Sequence, residues 1–508
     1  MSSLPAARSP ARSVSTRTAA RVLVALVFLG TAIFALYGSL TLRDGAYNQL
    51  LVAAISLYLF LECWYYLSRC DDFGLLAPVF LASIAHFYLA YLLPTAGTIV
   101  DPWIQARYDE YFRSFQDDIG DALLTVGLSA FCMWRGYYFG TGFGRRFGSR
   151  LRSVSALRQE FRPRLGAAVA VQLGYLLVVS YAIALGVFGI SSSAAAREAN
   201  LALIDYLNLG LAAGSLSFLL LMTHLFRRLD AGEFVPLLRV GCIAMTIMHL
   251  LVGAVAGFKS QLVMPFVMIT LASFLVRHRI SFVYVIGGLA ALLVAYQVIE
   301  PYRAYLGRNS VSGGADMTSM IDTLQKSWEQ RDLGYQSDVP VGTQILQRFD
   351  LTSMSAIGLA QFGDDPLAIE KGREMAETIY LAPLLAYAPR ALWPGKPTYQ
   401  TGAWFNQYLG TFDNDTSVGM GPIAWLFMVG GTAGVIVGFF CIGWLQALVF
   451  EGFARAGAGG IVVFLAAANV LVLLPTEVGS SFVGMMRLLP IAFVAQWALL
   501  QQATKGRR

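Results

Sequence analysis

The chain has 508 residues, of which 56% are hydrophobic and only 13% are charged. Soluble proteins carry about 25% charged residues, so this composition argues against a soluble enzyme. Apolar runs of roughly 20 residues recur along the chain, and each is long enough to cross the core of a bilayer. The runs are continuous rather than alternating, which excludes a membrane β-barrel and predicts a polytopic helical membrane protein.

The predicted elements begin with a basic tail. Residues 1–21 are rich in Arg, Ser and Ala and contain no acidic residue. This composition is shared by transit peptides, but we favour a disordered cytoplasmic tail that orients the first span. The apolar run that follows, residues 22–40, is too long for the core of a signal peptide and lacks a clear cleavage site.

A window of about 20 residues predicts about twelve transmembrane spans. In chain order they are residues 22–40, 49–67, 75–94, 121–139, 165–190, 204–226, 237–257, 261–276, 282–300, 422–450, 461–475 and 483–500. The predicted fold is therefore an all-α polytopic membrane protein, with spans in residues 22–300 and 422–500. Residues 301–421 form one long external loop that contains short amphipathic helices, and residues 501–508 form a second basic tail. Pro265 is expected to kink the short eighth span.

Charge sets the predicted orientation, because short cytoplasmic loops carry an excess of Lys and Arg. Residues 145–164 hold seven Arg residues against a single acid, Glu160. Further basic residues are Arg227, Arg228, Arg277, Arg279, Lys505, Arg507 and Arg508. These segments share one side of the membrane if the number of spans is even, which places both termini in the cytoplasm. The net charge of +6 then reflects membrane orientation rather than a nucleic-acid partner.

The loop between residues 301 and 421 contains its own predicted helices. Apolar residues at helical spacing predict an amphipathic helix on the membrane surface between Met317 and Trp328. A second amphipathic stretch begins with Ile345, Leu346 and Phe349. Residues 378–388 are apolar but too few to span, so they are expected to dip into the membrane or cap the bundle.

Three other patterns favour a structural role. Glycines recur every four residues at Gly430, Gly434 and Gly438, which predicts close helix packing through small residues. None of the five Cys residues lies in the long loop, so no structural disulfide is expected there. His249, in the outer half of the seventh span, is expected to form a hydrogen bond between helices of the core.

A run bracketed by prolines carries the functional prediction. Residues 388–397 read Ala-Pro-Arg-Ala-Leu-Trp-Pro-Gly-Lys-Pro. Because proline fixes φ and removes a backbone donor, this run cannot lie inside a helix. We expect a rigid, aromatic and cationic loop just outside the bilayer. The run resembles the P-R-x-L-W-P-x-K-P segment in the large external loop of Wzy-type O-antigen polymerases, which join bacterial oligosaccharide repeat units.

The resemblance implies an inverting, metal-independent glycosyltransferase of the bacterial inner membrane that needs no cofactor. Its donor would be an oligosaccharide on polyprenyl pyrophosphate, and its acceptor the non-reducing end of a lipid-linked repeat unit. Membrane lipid and a chain-length regulator are the other implied partners. By position, Arg390, Trp393 and Lys396 match the family's motif. Lys259 stands where the family often has Arg in a Gly-x-Arg turn, which weakens a bidentate contact at that position.

Several charged residues break the positive-inside pattern. The predicted topology places one group at the outer membrane face, comprising Lys259, Glu300, Arg303, Glu477 and Arg487, with Arg348, Arg390 and Lys396 in the loop above. An ionised side chain such as Arg487 inside a span costs a few kcal/mol unless it is paired, so it is a candidate for function. The alternative is that Glu300–Arg303 and Glu477–Arg487 are ion pairs that hold helix ends together.

Such cations suit the departure of a lipid pyrophosphate, because Arg binds phosphate oxygens in bidentate fashion and Lys binds them as a point charge. Arg303 and Arg390 are predicted to act in catalysis. The residues predicted to bind substrate are Lys259, Arg348, Trp393, Lys396, Tyr399 and Arg487, with the two aromatic rings packing on sugars. An external carboxylate would accept the proton of the acceptor hydroxyl, and the candidates are Glu377, Asp350, Glu477 and Asp415. Trp404 and Trp425 fit an interfacial aromatic belt equally well.

Three alternatives are weighed against this prediction. Asp413 and Asp415 form a D-x-D pattern that could hold a metal, but both are common turn residues, so no metal site is predicted. An O-antigen ligase uses the same donor with a lipid A–core acceptor, yet that family tends to have a His in its large loop and residues 301–421 contain none. A flippase or transporter should show polar midplane residues or pseudo-repeated halves, and neither is evident.

Overall fold

The computed structural model describes most of the chain. The described residues are 16–42, 45–106, 114–154, 162–185, 187–188, 200–256, 259–279, 281, 283–294, 325–326, 329, 340–363, 365–388, 392–393, 396, 401–409, 419–474 and 478–501. The predicted amphipathic helix between Met317 and Trp328 falls almost entirely outside them. The second predicted stretch lies inside a helix, as expected.

The described residues form helices and short connections, and none of them belongs to a β-strand. The helices up to the long loop are α1 Thr16–Thr41, α2 Ala46–Arg69, α3 Pro78–Gly97, α4 Trp103–Ala106, α5 Phe115–Leu151, α6 Leu165–Ala184, α7 Leu201–Asp230, α8 Pro236–Ala256, α9 Lys259–Arg277 and α10 Val283–Val294. The loop and the last spans contain α11 Val341–Phe349, α12 Leu351–Phe362, α13 Pro366–Tyr380, α14 Ala382–Tyr387, α15 Thr401–Tyr408, α16 Gly421–Val449, α17 Ala458–Leu473 and α18 Val478–Leu499.

Seven helices in the described part of the chain are long and apolar enough to cross a membrane. They are α1, α2, α3, α6, α8, α16 and α18, and shorter apolar helices occur in α9, α10 and α17. The protein is therefore an α-helical membrane protein that crosses the bilayer several times. The apolar runs in the sequence identified these helices. Lipid offers no hydrogen-bond partners, so an apolar segment in the bilayer must pair its own backbone N–H and C=O groups by forming a helix.

The N-terminal tail is shorter than the sequence predicts. Helix α1 begins at Thr16, so residues 16–21 are helical rather than part of a disordered tail. Arg17 donates to the carbonyl oxygen of Cys70 at 3.3 Å and pairs with Asp72 at 2.8 Å. Arg21 donates to the carbonyl oxygen of Leu67 at 3.1 Å. These contacts with the end of α2 stabilise a helical start that polar composition alone does not indicate.

Helices α5 and α16 form the central contact of the molecule. Glycines at 136, 140, 144 and 148 of α5 lie directly against the backbone of residues 440, 444, 447 and 451, so the two helices run parallel. A Cβ added at Gly136 would overlap the carbonyl oxygen of Phe440, and one at Gly443 would overlap that of Met133. Small residues therefore allow backbone to touch backbone, which is how helices pack in lipid.

The helices bury two larger apolar cores. Residues of α1, α2, α3, α5, α12, α13 and α16 form the first core, and residues of α6, α7, α9 and α18 form most of the second. Helix α17 contributes to both cores. The start of α6 is tied to the end of α18, where Arg164 N donates to the carbonyl oxygen of Leu499 at 2.7 Å and Gln501 N donates to that of Arg162 at 2.9 Å.

One end of the bundle holds the start of α1 and several ion pairs of basic residues, and we call it the clamped end. Here the carboxylate of Glu451 lies 3.3 Å from Arg145 Nε and 3.1 Å from Arg455 Nε. Arg455 also pairs with Asp71 at 3.3 Å, next to the Arg17–Asp72 pair. At the same end Thr16 Oγ1 donates to the carbonyl oxygen of His278. The opposite end, which carries α11 to α15, is called the loop end.

Helix α16 is not the straight span that the sequence predicts. With its extension to Ala454 it has 34 residues, about 51 Å of helix against a bilayer core of about 30 Å. Gly430 and Gly431 interrupt it, and Gly431 has a φ of 59°, which favours glycine. Residues 421–429, the hairpin arm, fold back along the helix. Leu426 O would lie 2.5 Å from a Cβ at Gly434 and Leu426 Cδ2 would lie 2.6 Å from one at Gly438.

The glycine repeat therefore has the packing role that its spacing predicts, with an unexpected partner. Gly434 and Gly438 receive Leu426 of the same helix, while Gly430 forms part of the turn. The close approach is internal to α16 rather than between two spans.

Candidate functional site

The hairpin arm lies at the centre of the loop end. Gly421 faces the hydroxyl of Tyr91 in α3, and Gly358 of α12 faces Ala424. A Cβ added at Gly372 of α13 would overlap the carbonyl oxygen of Met428. The arm is thus enclosed by two loop helices and a span, and two surfaces of the loop end adjoin it, with Trp425 near the start of α18 and Phe427 on a cavity.

The first surface contains the proline-bracketed motif. Helix α14 ends at Tyr387, and Ala388 is extended with φ −73° and ψ 116°, as expected before a proline. Lys396 is only 6% exposed, its Nζ donates to the carbonyl oxygen of Ala388 at 2.9 Å, and its backbone N donates to that of Trp393 at 3.0 Å. The described residues of the motif are non-helical, which confirms the prediction made from its prolines.

Arg487 of α18 reaches the same short segment. Its NH2 group donates to the carbonyl oxygen of Leu385 at 2.7 Å and its Nε to that of Ala386 at 3.1 Å. In return, the hydroxyl of Tyr387 donates to the carbonyl oxygen of Met486 at 2.8 Å. Carbonyls at the C-terminus of a helix carry partial negative charge, so a cation is well placed there.

Trp393 completes this surface. Its ring packs beside an apolar cluster formed by Ala382, Leu385, Ala386 and Val483. We call the surface formed by α14, Trp393, Lys396 and the facing part of α18 the motif junction. The structure therefore brings together three of the predicted substrate-binding residues, Trp393, Lys396 and Arg487, from segments about 90 positions apart in sequence.

Glu377 lies on the helix that leads into the motif junction. Its side chain is exposed on the last turn of α13, and its carbonyl oxygen accepts a hydrogen bond from Leu381 N at 2.8 Å. The neighbouring Thr378 is buried against Gly479 at the start of α18. Glu377 is the one carboxylate candidate among the described residues that is both exposed and next to α18.

Asp350 occupies a different part of the loop end. It caps α12, where its carboxylate accepts hydrogen bonds from Thr352 N at 3.0 Å, Ser353 N at 3.2 Å and the Ser353 hydroxyl. The side chain is 3% exposed, and burial raises the pKa of this carboxyl to about 6 despite these hydrogen bonds. A residue that caps a helix in this way has a structural role, and its carboxylate does not face the motif junction.

A buried polar network connects this cap to α3. Thr95 Oγ1 lies 3.1 Å from Thr352 Oγ1 and accepts from Gln105 Nε2 at 3.1 Å. Gln49 Nε2 donates to the carbonyl oxygen of Thr95 at 2.9 Å. The network holds α4 and α12 against α2 and α3, because buried polar groups are stable only when they are paired.

The remaining predicted residues are placed as follows. Arg348 is exposed near the C-terminus of α11. Lys259 begins α9, but its side chain is not among the described groups. The residues that lie outside the described part of the chain are Glu300, Arg303, Arg390, Tyr399, Asp413, Asp415 and Glu477.

Two aromatic residues and one His have structural positions. Trp425 is 1% exposed and packs in the first core, so it belongs to neither an aromatic belt nor a sugar site. Trp404 stacks on Tyr408 with ring centroids 5.1 Å apart. His249 bonds to Gln172 Nε2 at 2.7 Å, which confirms the expected hydrogen bond between core helices.

The second surface beside the hairpin arm is a cavity of about 430 Å³ that the sequence analysis did not find. It lies between α5, α12 and α16, and its polar side chains include Asp118, Asp121, Thr125 and Thr432. The available signal was the spacing of Asp118 and Asp121, three residues apart and hence on one helix face. The predicted spans placed them at the edge of a helix and gave no reason to look for a cavity.

Comparison with known proteins adds no relative, because no protein-family model, curated protein or solved structure matches the chain. In the described part of the chain no three His, Cys, Asp or Glu side chains are grouped so as to hold a metal ion.

Proposed function

We propose that the protein is a membrane glycosyltransferase that polymerises oligosaccharide repeat units carried on polyprenyl pyrophosphate. The reaction would take place at the external face of the bacterial cytoplasmic membrane. The observation that carries the proposal is the convergence of Lys396 and Arg487 on the carbonyls of residues 385–388, directly before the Pro-Arg of the motif.

This convergence supports the proposal because it holds the start of the motif against the last span. Arg487 joins α18 to Leu385 and Ala386, a few residues before Arg390. A lipid pyrophosphate has its charge in the headgroup layer, at the ends of the spans. Cations set in place there before the reaction would stabilise the charge that develops on the leaving phosphate.

Each group has a proposed role in this reaction. Arg303 and Arg390 would bind the pyrophosphate oxygens as they gain charge, and Arg487 and Lys396 would hold the motif in place. Glu377 is the preferred base, since its carboxylate is exposed on the helix next to the motif junction. The acceptor hydroxyl would lose its proton to this carboxylate as its oxygen forms the new glycosidic bond and the donor's bond to pyrophosphate breaks.

We further propose that about twelve helices cross the membrane and that both termini are cytoplasmic. A helix occurs at every predicted span, and the ends of α2, α5 and α16 that carry basic residues meet at the clamped end. Cysteines at Ser337 or Thr398 should then react with an impermeant thiol reagent from outside, and one at Ser153 only after permeabilisation. Labelling of Ser153 in intact spheroplasts would overturn this topology.

Two other functions remain as alternatives. An O-antigen ligase would use the same cations with a different acceptor, although residues 301–421 contain no His. A flippase is favoured by one observation, the interruption of α16 at Gly430 and Gly431, since transporters often have discontinuous helices at their substrate sites.

A complementation experiment distinguishes the three functions. A strain that lacks the gene is supplied with the wild-type protein, and polymer length, ligation of single repeat units and translocation of the lipid-linked unit are scored together. If the protein is a polymerase, the deletion strain still ligates single repeat units, and the complemented strain regains long chains. Loss of single-unit ligation in the deletion strain would indicate a ligase, and accumulation of cytoplasmic-facing units would indicate a flippase.

A further inference from the structure

The cavity beside the hairpin arm combines acidic, hydroxyl and aromatic side chains at the loop end. Asp118 and Asp121 stand on neighbouring turns of α5, and Thr432 follows the Gly430–Gly431 turn. Phe427, from the arm itself, supplies an aromatic side chain to the lining. Helix α12 closes the third side with small and apolar residues such as Ala356 and Leu359.

We propose that this cavity binds a sugar residue of the oligosaccharide, as a subsite distinct from the motif junction. The inference rests on the proposed function, because that function supplies the glycan. Carboxylates accept hydrogen bonds from sugar hydroxyls, threonine hydroxyls both donate and accept them, and an aromatic ring packs on the apolar face of a sugar. A volume of about 430 Å³ is within the usual range for a small-molecule site.

Charge decides which part of the substrate binds here. Two carboxylates repel a pyrophosphate, which therefore belongs at the cationic motif junction, while a neutral sugar ring faces no such repulsion. The hairpin arm lies between the two surfaces, with Phe427 lining the cavity and Trp425 packed near Gly479 at the start of α18. The arm therefore places a sugar site and a phosphate site on opposite sides of one helix.

Asp121 is suited to ligand contact because its side chain is exposed at the cavity wall. Asp118 is half-buried, and its Oδ2 accepts a hydrogen bond from Ser114 N at 3.3 Å, which orients the carboxylate. Asp117 offers a matched control, since it lies on the same turn, is exposed and bonds to the Ser114 hydroxyl without lining the cavity.

The test measures glycan binding directly. The probe is the free repeat-unit oligosaccharide, released by mild acid from the host's lipid carrier, and binding to the full-length protein in nanodiscs is followed by saturation-transfer NMR. Asp118→Asn/Asp121→Asn should weaken binding at least tenfold, and Phe427→Leu should weaken it while Phe427→Trp retains it. Asp117→Asn should bind like the wild type. All these positions are exposed or half-buried, the Asp→Asn substitutions keep the size and shape of the side chain, and a monodisperse elution profile confirms folding.

Normal binding by the Asp118→Asn/Asp121→Asn protein would overturn the proposal, as would an equal loss in Asp117→Asn or no binding by the wild type. The same variants are scored for polymer in the deletion strain. If the wild type makes polymer and the double variant binds glycan normally, the subsite is contradicted and the polymerase function stands. If the wild type makes no polymer but binds glycan through Asp118 and Asp121, the polymerase function is contradicted and the subsite stands.

Discussion

The two ends of the bundle hold their charged side chains in different ways. At the clamped end the carboxylate of Glu451, 3% exposed, lies between Arg145 and Arg455, and α5 and α16 run side by side. At the loop end the hydrogen bonds of Arg487 and Lys396 described above run to backbone carbonyls, and the helices are short or turn back. Regular spans and ion pairs give way to broken helices where a site is proposed.

This difference shows how a membrane protein can place a site by packing the short helices of a long loop against its spans. Ion pairs at the clamped end join the end of the α16 extension to α5 and to the residues that follow α2, so they add stability to contacts between helices. At the loop end, glycines let the hairpin arm touch α12 and α13, and the position of each side chain depends on that close approach. The loop end should therefore be the part whose function fails before its fold does.

The largest expected effect is at the α5–α16 contact. Gly136→Ala and Gly443→Ala each place a methyl group on a facing carbonyl, so we expect a loss of about 3 kcal/mol or more and a low yield of folded protein. Gly142→Ala, in the same helix with open space around its Cβ position, is the control and should be neutral or stabilising. Thermal unfolding in detergent measures both, and equal stability of Gly136→Ala and Gly142→Ala would contradict the packing argument.

The loop end should also be the pH-sensitive end. Burial raises the pKa of Asp350 from its usual 3.8 to about 6 in the folded protein. The folded protein therefore binds this proton more tightly than the unfolded chain does. The contribution of the proton to the free energy of unfolding is complete below pH 3.8 and is lost as the pH rises through 6. The loss is at most about 3 kcal/mol. Asp350→Asn should flatten the stability profile between pH 4 and 7, and an unchanged slope in that variant would assign the effect to another group.

A smaller effect is expected from the ion pairs of the clamped end. Glu451→Gln leaves two guanidinium groups without their shared carboxylate, and we expect a loss of about 2 kcal/mol, because the pair is only partly buried. Asp72→Asn breaks an exposed pair with Arg17 and should change stability by no more than about 0.5 kcal/mol. Chemical denaturation at low and high salt measures the free energy of unfolding of both variants. An equal loss in the two would contradict the expectation that the buried carboxylate contributes more than the exposed one.

A small change in stability, with a large change in function, is expected at Arg487. Arg487→Ala removes hydrogen bonds to the carbonyl oxygens of Leu385 and Ala386, which costs about 1 kcal/mol and should abolish polymer while the protein still inserts. Arg487→Lys should restore part of the polymer, since an ammonium lacks the planar fork that reaches both carbonyls.

A double-mutant cycle with Glu477 separates positioning from ion pairing at this residue. If Arg487→Ala/Glu477→Ala folds well and polymerises normally, Arg487 is a helix clamp and has no part in the site. If the double variant folds and makes no polymer, Arg487 is needed to position the motif.

The sequence by itself determined where the helices lie and where the motif is not helical. Apolar runs must form helix in lipid, and prolines exclude helix, so both conclusions follow from local chemistry. Only the tertiary structure decided that α16 turns back at Gly430. The sequence stays apolar through the turn, so its hydropathy is the same whether the helix continues or folds back. It also decided the convergence of Arg487 with Lys396, and of Asp118 with Phe427. Such contacts join segments far apart in the chain. They depend on packing between helices, which local sequence patterns do not predict.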